Sequence, residues 1–431
     1  MVVTGLLKCC YFMTDSFWVG KLGPEALAAL GGSAFAWWIT VQLTDLAGTG
    51  VHSLAAQQEG AARRDEIPST AAQGLWAGAV VALVLLVVWP FRDHYFILLG
   101  FEAGTKSFTM GSAYLGASLL GAGTLVLHGV VTAAFRGLGD TRTGMWIAAV
   151  AALLNLGLDP LLIWGWGPIP ALSIAGAAWA TCLANAIGSV IGVVVLAKRG
   201  LVLVPVRPVL EPILKIVRIG LPITAAGVGF SFIYVLLGRF INDFGEHHMA
   251  ALGIGHRLEG MAFMVTVGFM VGAATMVGQY VGAGDFDGAR RCARTSARMC
   301  CLIMVPMSVL LFLFAEPLFS IFTKESSIID SGVVYLRIQT VVFVFMALEI
   351  VYEGAFTGTA DTLPTLWVTG IGTAARIPLA WFLAYHCDWG IDGVWYAIAL
   401  TTLVKGIVMM LWFKRGHWAR KLEAEAGGAT G

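Results

Sequence analysis

Two aspartates, Asp15 and Asp159, fall within apolar stretches, and each has a polar companion four residues earlier, Tyr11 and Asn155. On a helix such pairs share one face. Thr181 lies in a third apolar stretch. A carboxyl group taken out of water favours its protonated form, and a second carboxyl beside it adds to that preference, so the pair can take up a proton. The same residues offer two carboxylates, an amide carbonyl and a hydroxyl, an oxygen set suited to a hard cation such as Na⁺. Pro160 has no N–H to give, which frees a backbone carbonyl about one turn back. The plainer alternative is that Asp15 is solvated near the outer end of its helix and that Asp159-Pro160 marks a kink.

Helices in a lipid bilayer must position these groups. Of 431 residues, 58% are hydrophobic and 12% charged, whereas soluble domains carry roughly a quarter charged residues. A soluble globular enzyme is excluded on that count. The 53 glycines sit largely inside apolar segments, where small residues let helix backbones approach closely. Cys9, Cys10, Cys182, Cys300 and Cys301 fall inside expected helices without zinc-ligand spacing, and read as packing residues. The net charge of +1 and the lack of a basic block with interleaved aromatics set nucleic acid aside. No cleavable leader is visible at the N-terminus, so insertion is expected to rely on the first helices.

Hydropathy predicts an all-α polytopic membrane protein with twelve transmembrane helices in two six-helix pseudo-symmetric lobes. The first six segments are Val2 to Trp18, Leu27 to Val51, Ala71 to Trp89, Phe108 to Phe135, Met145 to Trp164 and Ile174 to Leu196. The second six are Ile223 to Phe244, Ala250 to Val281, Cys300 to Phe314, Val333 to Phe356, Leu366 to Tyr385 and Val394 to Phe413. The expected organisation is an N-lobe over 1–197, a cytoplasmic linker over 198–212, a C-lobe over 213–414 and a cytoplasmic tail over 415–431. Loops after even-numbered helices carry Arg63, Arg64, Arg136, Arg199, Arg290, Arg294, Arg298 and Lys414 among others, against Lys21, Arg92, Lys106 and Lys324 on the opposite side. By the positive-inside rule both termini face the cytoplasm of a cell that holds the protein in its plasma or inner membrane. The first segment is short for a span, which needs about 20 apolar residues, and the expectation is that part of this helix precedes Met1. Lys8, on the face of Asp15, either pairs with that carboxylate and opposes its protonation or snorkels to a headgroup.

The chain repeats itself at a shift of about 222 residues. Lys21-Leu-Gly-Pro-Glu-Ala-Leu-Ala-Ala-Leu-Gly31 matches Asp243-Phe-Gly-Glu-His-His-Met-Ala-Ala-Leu-Gly253, and Ala134-Phe-Arg-Gly-Leu-Gly-Asp-Thr141 matches Ala355-Phe-Thr-Gly-Thr-Ala-Asp-Thr362. Two halves of even helix number share one orientation, the plan of a transporter. A residue needed only by the fold should tend to appear in both halves. Tyr11 and Asp15 fall on Ile233 and Leu237, Asn155 and Asp159 on Arg376 and Ala380, and Thr181 on Ile398. The polar set belongs to the first half alone, which favours a working site over a structural one.

Tyr11-Phe-Met-Thr-Asp15-Ser-Phe-Trp-Val-Gly-Lys-Leu-Gly23, with Ala-Leu-Ala-Ala-Leu-Gly31 following, resembles the first-to-second helix signature of the multidrug and toxic compound extrusion (MATE) family. Asn155-Leu-Gly-Leu-Asp159-Pro-Leu-Leu-Ile163 and Gly176-Ala-Ala-Trp-Ala-Thr181 resemble its fifth and sixth helices. The resemblance implies a twelve-helix antiporter that exports organic compounds while Na⁺ or H⁺ enters, without a further cofactor. It also implies that Asp15, Asn155, Asp159 and Thr181 form an N-lobe cation site with Tyr11 beside it. The NorM-type branch carries a glutamate about eight residues after a Gly-Pro pair in helix seven; here Gly220-Leu-Pro222 is followed by Phe230, which is similar to the DinF-like branch.

Other polar residues at membrane depth are Glu349 and Glu353, one turn apart, with Arg376, Arg257 and Glu259. They meet a cationic or zwitterionic substrate in the cavity, or pair among themselves as structural ions. Gly137-Leu-Gly-Asp140 fits a Gly-x-Gly-Asp protease pattern, but its repeat mate Gly358-Thr-Ala-Asp361 stands at the same loop, and both aspartates read as N-caps of the helices that follow. No Walker A or His-Glu-x-x-His motif is present, and no enzyme is expected. The expectation is therefore a monomeric, cation-coupled secondary antiporter that exports amphiphilic or cationic organic compounds. The alternatives are a flippase for lipid-linked precursors and a non-transporting membrane scaffold.

Overall fold

The computed structural model describes residues 14–202 and 206–428. Among them the chain is helical apart from turns and one isolated bridge, Trp166 to Ile169. Among the described residues ten helices are long and apolar enough to cross a membrane, and a pair bent by 47° makes eleven when taken as one span. The first half contains α1 (residues 14–20), α2 (Pro24–Gly60), α3 (Ile67–Val88), α4 (Arg92–Leu98), α5 (Lys106–Leu120), α6 (Ala122–Gly137), α7 (Thr141–Trp164) and α8 (Ile174–Lys198). The second contains α9 (Leu210–Asn242), α10 (Glu246–Gly282), α11 (Phe286–Leu313), α12 (Ala315–Phe322), α13 (Ser326–Thr359), α14 (Leu363–His386), α15 (Gly390–Lys414) and α16 (His417–Gly428). The earlier part of the expected first span, with Lys8, Cys9, Cys10 and Tyr11, lies outside the described residues.

Side chains such as Val87 on α3 and Leu302 on α11 are apolar and exposed. This fits a lipid solvent, in which helices need not hide their apolar faces and instead associate through close packing. The chain divides into two compact units, one ending at Thr224 and the other starting at Ala225, so the boundary falls inside α9. Each unit uses the same helix pairings. In the first, α2 packs on α6, α3 on α6, and α7 on α8; in the second, α10 packs on α13, α11 on α13, and the α14 segments on α15. One glycine serves each last pair. A Cβ at Gly176 would strike the Leu162 carbonyl, and one at Gly393 would stand 2.7 Å from the Ala384 nitrogen.

The helices extend past the apolar segments because hydropathy registers only the lipid-facing part. Thus α11 begins at Phe286, 14 residues before the expected Cys300, through a run that carries Arg290, Arg294 and Arg298. The fourth span, expected as one helix, breaks at Gly121 into α5 and α6. The Cys182 side chain occupies the space beside that glycine, and such intrusions bend helices. Residues at the end of the linker are fastened to α3: Gln73 Nε2 donates to the Arg207 carbonyl at 2.9 Å, and the Val209 N–H donates to Gln73 Oε1 at 3.0 Å.

Asp140 caps α7 as expected, accepting from the Thr143 N–H at 3.0 Å, and it also pairs with Arg199. Asp361 does not cap. Ala360 adopts a left-handed φ of 62°, Thr362 becomes the residue before the next helix, and the Asp361 carboxylate instead meets Lys421 at 3.1 Å. The first unit's loop thus ends in a cap, whereas the turn at Ala360 commits the second unit's aspartate to an ion pair with α16.

Candidate functional site

The site is built from three helices of the first unit. On α7, Asn155 Nδ2 donates to Asp159 Oδ1 at 3.0 Å. α1 supplies Asp15 and α8 supplies Thr181, whose Oγ1 donates to Asp15 Oδ2 at 3.3 Å. Asp15 also lies within interaction range of Asn155 and Asp159. All four side chains are buried, Asn155 and Asp159 completely. The structure therefore brings together four of the five residues singled out from the sequence, and Tyr11 lies outside the described residues.

Local chemistry explains the placement. The Asp140 cap sets the start of α7. At its other end the Leu172 N–H donates to the Leu162 carbonyl at 2.9 Å and the Ser173 N–H to the Ile163 carbonyl at 3.0 Å, turning the chain back into α8. Gly176 then lets α8 approach α7, which puts Thr181 opposite the acidic face. Val19, Ala26, Ala29, Tyr114, Ile163, Ile174 and Ala177 pack as one apolar cluster around these elements.

The polar groups satisfy one another only in part. Asp15 Oδ1, Asn155 Oδ1 and Asp159 Oδ2 are buried and have no hydrogen-bond donor among the described residues. A buried acceptor without a donor costs roughly 1–3 kcal/mol, and three together form a pocket of negative potential. A proton or a small hard cation offsets that cost. No cluster of three or more His, Cys, Asp or Glu suited to a bound metal occurs among the described residues.

The repeat provides a control within the same chain. In the second unit, Leu237, Ala380 and Ile398, the counterparts of Asp15, Asp159 and Thr181, belong to one buried apolar cluster. The second unit thus holds hydrocarbon where the first holds Asp15, Asp159 and Thr181, while the Asn155 position carries the buried Arg376, so no acid stands anywhere in the counterpart set. Tyr114, which the sequence reading did not single out, is buried near both carboxyls. Tyr335 occupies the matching place in the second unit's cluster, so Tyr114 serves packing by the repeat criterion.

The second unit holds a separate polar group. Glu349 accepts from Lys405 Nζ at 2.9 Å and from Thr369 Oγ1 at 3.0 Å, and both ionic side chains are buried. Glu353 lies near this pair. Arg376 does not contact Glu349 directly; it donates to Thr401 at 3.1 Å, Thr402 at 3.0 Å and the Tyr234 hydroxyl at 2.8 Å. Glu259 is half-buried near Arg376 and Tyr335, while Arg257 is exposed. Lys405 escaped the sequence reading although a lysine inside the apolar segment Val394 to Phe413 was a visible signal.

Comparison with known proteins agrees with the repeat. The MatE family model matches twice, over residues 1–161 and 222–382. A protein of Thermotoga maritima described as a probable multidrug resistance protein NorM is 27% identical over 426 residues, covering 96% of this chain and 90% of that protein. A Shewanella oneidensis protein described as an FAD transporter is 25% identical, covering 92% and 88%. Among solved structures, a MOP superfamily transporter from Pyrococcus furiosus superposes with a TM-score of 0.87 at 23% identity, covering 98% of this chain and 94% of that one. An outward-facing multidrug resistance MATE family transporter superposes with a TM-score of 0.86 at 24% identity, covering 98% and 94%. The twelve-helix, two-lobe fold is that of these neighbours. The chain belongs to the MatE family.

Proposed function

We propose that this protein is a cation-coupled secondary antiporter that exports amphiphilic or cationic organic compounds by alternating access. It works in the plasma or inner membrane with both termini cytoplasmic. The observation that carries the reading is the convergence of three buried, unpartnered oxygens of Asp15, Asn155 and Asp159 on one side of α7. H⁺ or Na⁺ entering this set changes its charge, and a difference in cation affinity between two lobe arrangements shifts the equilibrium between them. The family membership and the multidrug relative support export as the direction of transport. Phe230 in place of a helix-seven glutamate supports the DinF-like arrangement, with coupling acids in the N-lobe.

In this reading the second unit's set of Glu349, Glu353, Arg376, Arg257 and Glu259, joined by Lys405, meets the charged part of the substrate. The test is efflux of a fluorescent organic cation from proteoliposomes under separately imposed proton and sodium gradients. Efflux that follows one gradient supports coupling and names the ion. Efflux indifferent to both removes the proposal.

A further inference from the structure

A pocket of about 190 Å³ lies between α11, α13 and α15, lined by Arg290, Arg294, Tyr352, Phe413 and Lys414. Its charge comes from a ladder. Arg290, Arg294 and Arg298 stand at i, i+4 and i+8 on α11 and so share one face, and Arg294 and Arg298 lie near the buried Tyr352, which lines the pocket. Asp287 neutralises Arg290 at 3.1 Å and Asp285 meets Arg291 at 3.6 Å. No ion pair joins Arg294, Arg298 or Lys414 to an acid among the described residues. The buried Arg290 Nε has no acceptor there either, and its guanidinium sits 5.8 Å from the Trp418 ring.

The same face of α11 then changes character. Past Arg298 that face continues, in steps of four, three and four, to Leu302, 73% exposed, and then to Val305 and Val309, also exposed. Arg294 and Lys414, without an acid partner among the described residues, thus stand near an exposed hydrocarbon stripe farther along α11, the pattern that suits an amphiphile with an anionic head.

We propose that this pocket binds the phosphate-bearing headgroup of an anionic phospholipid, with its acyl chain along Leu302, Val305 and Val309. Arg294 and Lys414 are the principal donors, Arg290 Nε and the Tyr352 hydroxyl complete the set, and guanidinium groups match phosphate oxygens in a fork. Basic pockets between transmembrane helices are suited to such headgroups, and the apolar stripe selects a lipid over a soluble phosphate.

The test is native mass spectrometry of the full-length protein in detergent, offered phosphatidylglycerol or phosphatidylcholine in equal amounts, with inorganic phosphate as a separate arm. The unsubstituted protein should retain phosphatidylglycerol severalfold over phosphatidylcholine. Arg294→Gln with Lys414→Gln, both exposed, should abolish that preference, while Lys215→Gln with Arg218→Gln, both exposed on α9, keeps it and controls for the two lost charges. Equal retention of the two lipids, or a preference unchanged in the double variant, would overturn the proposal. A phosphate-induced rise in melting temperature without any lipid preference would assign the pocket to a soluble phosphate compound and overturn it too.

Discussion

Thr181 and Asp15, 166 positions apart, meet through a 3.3 Å hydrogen bond that ties α8 to α1 at the acidic face of α7. The bond uses one oxygen of Asp15 and leaves the other unpartnered. Thr181→Val keeps the shape and removes the hydroxyl, a change worth about 1 kcal/mol, or roughly fivefold in an equilibrium constant. Cation-driven efflux should fall by about that factor at subsaturating cation, with substrate affinity unchanged. An unchanged cation dependence would remove Thr181 from the site.

Lys405 and Glu349 form a buried ion pair at 2.9 Å. Breaking such a pair from one side strands a charge and costs about 3–5 kcal/mol. Lys405→Met should therefore lower the melting temperature in detergent sharply, and adding Glu349→Gln should restore most of the loss. Equal melting of the single and double variants would show that the pair is not the reason Lys405 is held there.

The site was largely legible in the sequence because acids at membrane depth are conspicuous and the repeat supplied an internal comparison. Asp15 and Asp159 stood out against Leu237 and Ala380, and those counterparts are packed in hydrocarbon. Helix ends were less legible. The arginine-bearing start of α11 and the bend at Gly121 depend on amphipathic continuation and on the position of Cys182, neither of which hydropathy encodes. Asp361 was misread because its role depends on the left-handed turn at Ala360. Arg376 looked like a partner for the glutamates, but three-dimensional placement gives it hydroxyls and gives Glu349 the lysine.

Asp140 caps α7 outside the membrane-spanning part of the helix. Partial burial pushes its carboxyl up, but hydrogen bonds from Thr143 and the Arg199 guanidinium outweigh this and hold it below the ordinary value of 3.8. A carboxyl depressed in the folded state stabilises the fold above its unfolded value and loses that contribution as pH falls through the depressed one. Asp140→Ala should cost about 1 kcal/mol at neutral pH, and the difference from the unsubstituted protein should shrink below about pH 4. A pH-independent difference in melting would contradict the ionised cap.

Gly176 sits where a Cβ would collide with the Leu162 carbonyl. Gly176→Val should force α8 from α7 by a few tenths of an ångström or more, destabilising by about 1–3 kcal/mol. It should reduce coupled efflux through the displaced Thr181. Full stability with full coupling would mean that the close approach is not needed.

In the proposed antiporter the pair Asp15 and Asp159 reads the cation. The most direct measurement is gradient-driven efflux from proteoliposomes by the unsubstituted protein and by Asp159→Asn, at equal reconstitution and with each gradient imposed alone. The unsubstituted protein should accelerate efflux under one inward cation gradient, and Asp159→Asn should give the same slow rate with or without it. Asp159→Asn that keeps the full gradient dependence would contradict the account.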